Sequence, residues 1–262
     1  MPRGAASRYT GDHPDPPVMA ATRTLFGFHA VTARLRAHAG SIQALYATSA
    51  RHDARMRDLV ARATTAGVAV HAADDARLTQ LAGHAGHQGV VAIVDAALPH
   101  VTLDDVLEAP NEAPLLLVLD GITDPHNLGA CLRVADGAGA HAVIAPKDHA
   151  VGINATVAKV ASGAAETVPY FMVTNLARTL NELKERDIRV IGTSDTATKS
   201  LYDVDLSGPV ALVLGAEGSG MRQLTGKTCD ELVRLPMKGA VESLNVSVAS
   251  GICLYEAVRQ RG

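Results

Sequence analysis

The segment Pro114–Gly121, PLLLVLDG, constrains the fold of this chain more than any other. An unbroken apolar run ending in Asp-Gly cannot alternate between core and solvent, so a strand made from it must be buried on both faces. That is the position of a strand inside a parallel sheet with helices packed on either side. The sequence that follows repeats the theme. HAVIAP, TVPYFMV, IRVIGTSD, VALVLGAEG and ELVRLPM read as strands. NLGACLRVADGAG, NATVAKVASGA and LARTLNELKERD read as helices between them, and a helical segment ends the chain. Residues 113–262 are therefore expected to form an α/β domain with a mostly parallel sheet, with ligands at the carboxyl ends of its strands.

Upstream, residues 23–97 alternate on a smaller scale. HAVTARLRAHA, ARMRDLVARATTAG and ARLTQLAGH have helical period, while SIQALYATS, VAVHAA and GVVAIVDA read as strands, which predicts a second, small α/β domain. Prolines and acidic residues break the pattern over 98–112, the expected linker. Residues 1–22 are rich in Pro, Gly, Asp and Ser and carry no apolar period, so a disordered tail is expected there. That tail lacks the apolar core of a signal peptide. No run approaches the eighteen apolar residues of a membrane helix, so no membrane partner is expected. Cys131, Cys229 and Cys253 show no paired spacing, which fits a reducing cytoplasm.

The net charge of −3 hides an uneven distribution. Residues 23–97 hold eight arginines, no lysine and five aspartates, whereas the remainder to residue 262 is acidic. Guanidinium forks pair bidentately with phosphate, so an all-arginine first domain suits a phosphate-bearing ligand; a solvated arginine surface is the plainer alternative.

Three segments that follow strands are polar and glycine-rich. In LDGITDPHNLGACLRVA, Asp124-Pro125 forms a turn, Asn127 is a plausible helix N-cap, and Arg133 interrupts an apolar helix face. LVLGAEGSGM carries a strand into a glycine loop that is neither a dinucleotide fingerprint nor a Walker loop. Its Glu217 would repel phosphate, so it suits a neutral or cationic ligand or a ribose hydroxyl; a plain tight turn is the alternative. In LPMKGAVESLNVSVASGICLYEAVRQR, Ser243 is a candidate N-cap, and the small residues after it allow close approach of a ligand or another backbone. Asn245 offers both a donor and an acceptor there. His84 and His87 form an HxxH with no third ligand nearby, so no metal is expected.

Together, and in this order, the three segments resemble the three motifs of the SpoU/TrmH-type RNA ribose 2′-O-methyltransferases, a branch of the SPOUT superfamily. The likeness covers residues 113–262. LFGFHAV and GHQGVVAIV in the first domain resemble the L30e-like RNA-binding domain of the subgroup that methylates a guanosine of 23S ribosomal RNA. The resemblance implies a trefoil knot in the catalytic domain, S-adenosyl-L-methionine as cofactor, and a homodimer with the site at the subunit interface. It implies ribosomal RNA, or an assembly intermediate containing it, as the partner. By motif, cofactor contacts fall on Thr193, Gly215, Glu217, Gly218, Leu235 and Leu244, and the polar active-site positions on Asn127, Arg133, Glu217, Ser243 and Asn245. RNA contacts are expected from Arg34, Arg36, Arg51, Arg55, Arg57 and Arg62.

The family proposal makes Arg133 the general base. A guanidinium is charged across the accessible pH range, so a better expectation is that Arg133 binds a phosphate and supports the developing alkoxide. Asn127, Glu217 and Asn245 would then orient the ribose. The alternatives are a tRNA ribose methyltransferase of the same family, and a non-catalytic RNA-binding or ribosome-assembly protein on this scaffold. A dinucleotide-dependent oxidoreductase also fits the α/β alternation, but no GxGxxG follows the first strand.

Overall fold

A computed structural model describes residues 21–96, 101–108 and 112–262. Most of the expected tail and the ends of the expected linker lie outside the described residues. The first domain runs β1 (Thr22–Phe26), α1 (Phe28–His38), β2 (Ile42–Thr48), α2 (Ala54–Thr65), β3 (Val70–Ala73), α3 (Asp75–Ala82) and β4 (Val90–Asp95). Its sheet has the order β1-β4-β2-β3, with β2 and β3 parallel and the other pairs antiparallel. The edge strand β1 was not expected from the sequence, and it takes in Thr22 from the segment read as a tail. Only Leu25 of its five residues is buried, too little for an apolar run to show. Phe28, Val31 and Leu35 of α1 pack with Met56, Leu59 and Ala63 of α2 on this sheet to form the first core.

The chain continues with α4 (Leu103–Glu108), β5 (Leu115–Asp120), α5 (Pro125–Gly137), β6 (Ala142–Pro146), α6 (Ala155–Ala161), β7 (Tyr170–Val173), α7 (Leu176–Lys184), β8 (Arg189–Thr193), β9 (Lys199–Ser200), β10 (Val210–Gly215), α8 (Gln223–Thr228), β11 (Glu231–Arg234) and α9 (Val246–Arg261). The seven strands lie in the order β7-β6-β5-β10-β8-β11-β9, and every pair is parallel. The segment read as a linker is thus partly structured: α4 buries Val106 in the second domain's core.

β5 explains why the opening run is continuous. Leu115, Leu117 and Leu119 face one core, shared with α5, α6 and α9, whereas Leu116 and Val118 face another, shared with α7. All six residues of the strand are buried. Helix starts are set by short polar side chains that take up a free backbone N–H. Asp53, Asp74, Asp124, Asn154, Asn175 and Asn245 cap α2, α3, α5, α6, α7 and α9 in this way. Two sequence expectations are corrected here. Asp124, not Asn127, caps α5, because Pro125 has no N–H to satisfy and fits the first helical position. Asn245, not Ser243, caps α9, its side chain accepting from Ser247 N.

Candidate active site

The site grows from the carboxyl ends of the central strands. β5 and β10 are in register, so Asp120 and Gly215 lie side by side where the two strands end. Asp120 is buried and needs a partner. Arg222 supplies it, with Nε 2.7 Å from Oδ1 and its backbone N 2.9 Å from Oδ2. This pair ties the glycine loop after β10 back onto the end of β5. The loop also closes on itself, Ala216 and Gly220 exchanging backbone hydrogen bonds of 3.1 and 2.9 Å. Only glycine fits at 215: a Cβ there would lie 2.1 Å from the carbonyl carbon of Gly220 and the nitrogen of Met221.

Beside this loop opens a cleft of about 510 Å³. Thr193, Gly215, Glu217, Gly218, Leu235 and Leu244, the six positions expected to hold a cofactor, all line it, as does Ser243. Leu214, Val246 and Ala249 extend its apolar wall, while Asp195, Glu217 and Glu242 set carboxylates at its rim against the single guanidinium of Arg222. A cleft with apolar walls, exposed glycine backbone and excess negative charge suits a flat base carried on a cationic ligand better than a phosphate-bearing nucleotide.

At the mouth, three side chains from distant parts of the chain meet. Asn245 Nδ2 donates to Glu217 Oε1 at 2.5 Å and to Asn127 Oδ1 at 2.9 Å. Val246 N also donates to Glu217 Oε1, at 3.2 Å, and Asn127 Nδ2 lies 3.5 Å from the same oxygen. Asn127 comes from the first turn of α5, Glu217 from the glycine loop, and Asn245 from the start of α9. The cluster is solvent-exposed, so it is open to a substrate.

Arg133 is not part of this cluster within one chain. It sits six residues beyond Asn127 on α5, about 9 Å along the helix axis, and its Nη1 lies 3.4 Å from Ser162 Oγ. The small residues of α9 do pack closely: Gly251 faces Val134 of α5, and Ser250 Oγ lies 3.6 Å from Cys131 Sγ. Burial among apolar groups pushes the Cys131 thiol up to about 11 and the Cys253 thiol up to about 12, so both stay neutral packing groups.

In the first domain, Arg36, Arg55, Arg57 and Arg62 are exposed and Arg51 is half-buried. Arg51 and Arg55 both lie over the Phe28 ring, 4.6 and 4.7 Å from its centroid, and Arg55 Nη2 is 3.2 Å from His29 Nε2. Arg34 is a correction. It is fully buried and bonded to Glu166 of the second domain, so it offers no surface to RNA. The two histidines of the HxxH also have structural partners: His87 Nδ1 accepts from Gly89 N and His84 Nδ1 from Gly86 N. Among the described residues no group of three or more His, Cys, Asp or Glu could hold a metal ion, and no helix is long and apolar enough to cross a membrane.

Comparison with known proteins identifies the family. The SpoU rRNA Methylase family profile matches residues 114–255. This chain belongs to that family. A second profile, RNA 2′-O ribose methyltransferase substrate binding, matches residues 24–99. The chain is 63% identical over 243 residues to the 23S rRNA (guanosine-2′-O-)-methyltransferase RlmB of Ralstonia nicotianae, covering 93% of this chain and 98% of the relative. It is 58% identical to the RlmB of Bordetella pertussis, covering 93% and 99%. Among solved structures it is similar to the SpoU methyltransferase AviRb from Streptomyces viridochromogenes in complex with the cofactor AdoMet. That likeness has 26% identity and a TM-score of 0.72, and covers 92% of this chain and 90% of that one. Within the SpoU family profile fall Asn127, Arg133, Glu217, Ser243 and Asn245. Sequence reading missed Arg222, although a strand-end aspartate buried in apolar surroundings was a signal that a cation had to lie nearby.

Proposed function

We propose that this protein is an S-adenosyl-L-methionine-dependent methyltransferase acting on the ribose 2′-hydroxyl of a guanosine in 23S ribosomal RNA. The observation that carries the reading is the Asn127–Glu217–Asn245 cluster at the mouth of a glycine-backed, anionic cleft, in a chain aligned almost end to end with 23S rRNA guanosine-2′-O-methyltransferases. S-adenosyl-L-methionine, when bound, supplies a methyl group on a positively charged sulfonium. Leu214, Leu235, Leu244 and Val246 would cover its apolar surface, and the backbone of residues 215–220 would meet its polar edge.

The chain's own task is to bind, orient and desolvate the ribose. Asn245 draws Glu217 Oε1 and Asn127 Oδ1 together through its Nδ2, and the Glu217 carboxylate and the Asn127 amide would offer their remaining acceptor and donor capacity to a ribose hydroxyl. Arg133, outside this cluster in its own chain, would take a flanking phosphate and support the developing alkoxide from across the homodimer interface. Arg51, Arg55, Arg57, Arg36 and Arg62 form the RNA-binding face of the first domain, which we assign to residues 23–97, with the methyltransferase domain over 113–262. The reading includes the knot that the family resemblance implies. It also includes a homodimer closing the site, supported by Val248 and Tyr255, which are half-exposed on α9. The substrate is 23S rRNA or an assembly intermediate, met in the cytoplasm.

The test is methyl transfer from labelled S-adenosyl-L-methionine to unmodified 23S rRNA, followed by mass mapping of the product. A single ribose-methylated guanosine is expected. Methylation of tRNA in preference to 23S rRNA, or no ribose methylation at all, refutes the reading.

A further inference from the structure

Among the described residues, α1 and β1 of the first domain meet a short turn of the second. α1 lies against the 3₁₀ turn Ala164–Glu166, which follows α6. Gly163, with φ +101°, is pressed so close to α1 that a Cβ would lie 2.8 Å from the His29 carbonyl oxygen and 2.9 Å from Ala33 Cβ. Three residues on, Glu166 is buried and receives two guanidinium groups from the first domain. Arg34 Nη1 donates to its Oε2 at 2.9 Å, and Arg23 Nη2 lies 2.6 Å from both carboxylate oxygens. Arg34 is itself held by Ser41 Oγ and the Asp95 carbonyl. Removing the charge of one partner from a buried ion group of this kind is costly, because it leaves the other charge uncompensated.

The same short segment is also fastened to α5. Ser162 Oγ is the partner of Arg133 Nη1, and Thr167 Oγ1 donates to Asp136 Oδ1 at 2.5 Å. Just upstream, α6 and α5 touch at Gly129, where a Cβ would come within 2.7 Å of Val160 Cβ. α1, for its part, begins with Phe28 and His29, the residues that gather Arg51 and Arg55. One rigid helix therefore joins the arginine cluster to Glu166, and residues 162–167 join Glu166 to the helix that carries Arg133.

We propose that Glu166 is a positioning residue, an interdomain latch that holds the arginine face of the first domain in a fixed orientation to Arg133 and the cleft. RNA bound on the first domain then presents its target ribose to the site rather than swinging on a linker. This rests on the RNA methyltransferase reading above. Each domain has its own hydrophobic core, and Arg34 keeps its bonds to Ser41 Oγ and the Asp95 carbonyl when Glu166 loses its charge, so release of the latch is expected to free their relative orientation with both domains folded.

Glu166→Gln keeps the side-chain shape and removes the charge. In the full-length protein, two fluorophores on the two domains report their distance distribution. Steady-state kinetics on unmodified 23S rRNA, RNA affinity and S-adenosyl-L-methionine affinity are measured alongside. Expected are a broadened distance distribution and a fall in kcat of about tenfold, with both affinities within about twofold of the original protein. A merely structural role would lower all activities and the cofactor-binding stoichiometry together. Arg23→Met, which leaves the Arg34–Glu166 pair in place, is the second variant, and it should move distance and kcat in the same direction by a smaller factor. An unchanged distance distribution, or a broadened one with unchanged kcat, in a soluble variant overturns the proposal. Inactivity of the unaltered protein on 23S rRNA would instead overturn the methyltransferase reading.

Discussion

Asn245 does two jobs with one amide, and the jobs can be separated by substitution. Its Oδ1 accepts from Ser247 N at 3.0 Å and from Ser247 Oγ at 2.6 Å, capping the sixteen-residue α9. Its Nδ2 donates to Glu217 and Asn127. Loss of an N-cap costs about 1 kcal/mol. The two Nδ2 bonds are solvent-exposed, so together they add no more than about 1 kcal/mol. Asn245→Ala should therefore destabilise the protein by about 1–2 kcal/mol, a melting shift of roughly 2–4 °C for a chain of this size. Asn245→Ser restores a capping oxygen but not the amide Nδ2 with its reach to two acceptors, so it should recover about half of that loss. Methyl transfer should behave differently. Both variants release Glu217 and Asn127 from their shared donor, and misplacement of site groups by about 1 Å can cost about a hundredfold in rate. Thermal melting paired with single-turnover methylation reads both effects on the same samples. A fully active Asn245→Ser protein would refute the orienting role of Nδ2, and a serine variant as unstable as the alanine one would refute the cap.

Arg133→Ala should abolish methylation with S-adenosyl-L-methionine affinity near normal by calorimetry, and Arg133→Lys should retain RNA binding yet lose most activity, since a point charge replaces the fork; undiminished activity of either sinks the assignment. Arg55→Ala should weaken RNA binding and reduce the slope of log affinity against log salt by about 0.7–1, as one released counterion requires; an unchanged slope would place the RNA elsewhere. Hydrogen bonds from Arg259, then Gln260, hold the Glu256 carboxyl down to about 2 from an ordinary 4.5. Because that value is depressed in the folded protein, the stabilisation is fully present above pH 4.5 and is lost as pH falls toward 2. Denaturant titrations should therefore show Glu256→Gln less stable than the original at pH 7 and the two converging in strong acid; a constant difference would contradict the pairing.

The second domain was legible because its signals are local. A strand buried on both faces has no polar position to spare, so Leu115–Leu119 announce a parallel sheet without any tertiary information. β1 and the two-residue β9 were not legible, being edge strands with few buried positions. The helix starts were only partly legible, since Asp124 and Asn127 flank Pro125 and Ser243 and Asn245 precede Val246, each pair competing for one capping position. Geometry chose Asp124 and Asn245.

Composition likewise could not tell one arginine from another. Arg34 and Arg55 belong to the same count, yet one is sealed under Glu166 and the other lies in the open beside His29. Burial depends on the docking of two domains, a contact between residues 132 positions apart.

The α/β class, the two-domain order and the three motifs can be read along the chain, because periodicity, turn residues and motif spacing are local properties. Which side chains meet is set by the folded chain. It brought Asn127, Glu217 and Asn245 together from three separated segments, and it supplied Arg222 as the partner of buried Asp120. It also set Arg133 apart, against Ser162. These are through-space pairings: their energies depend on distances between atoms remote in sequence, and no local pattern encodes them.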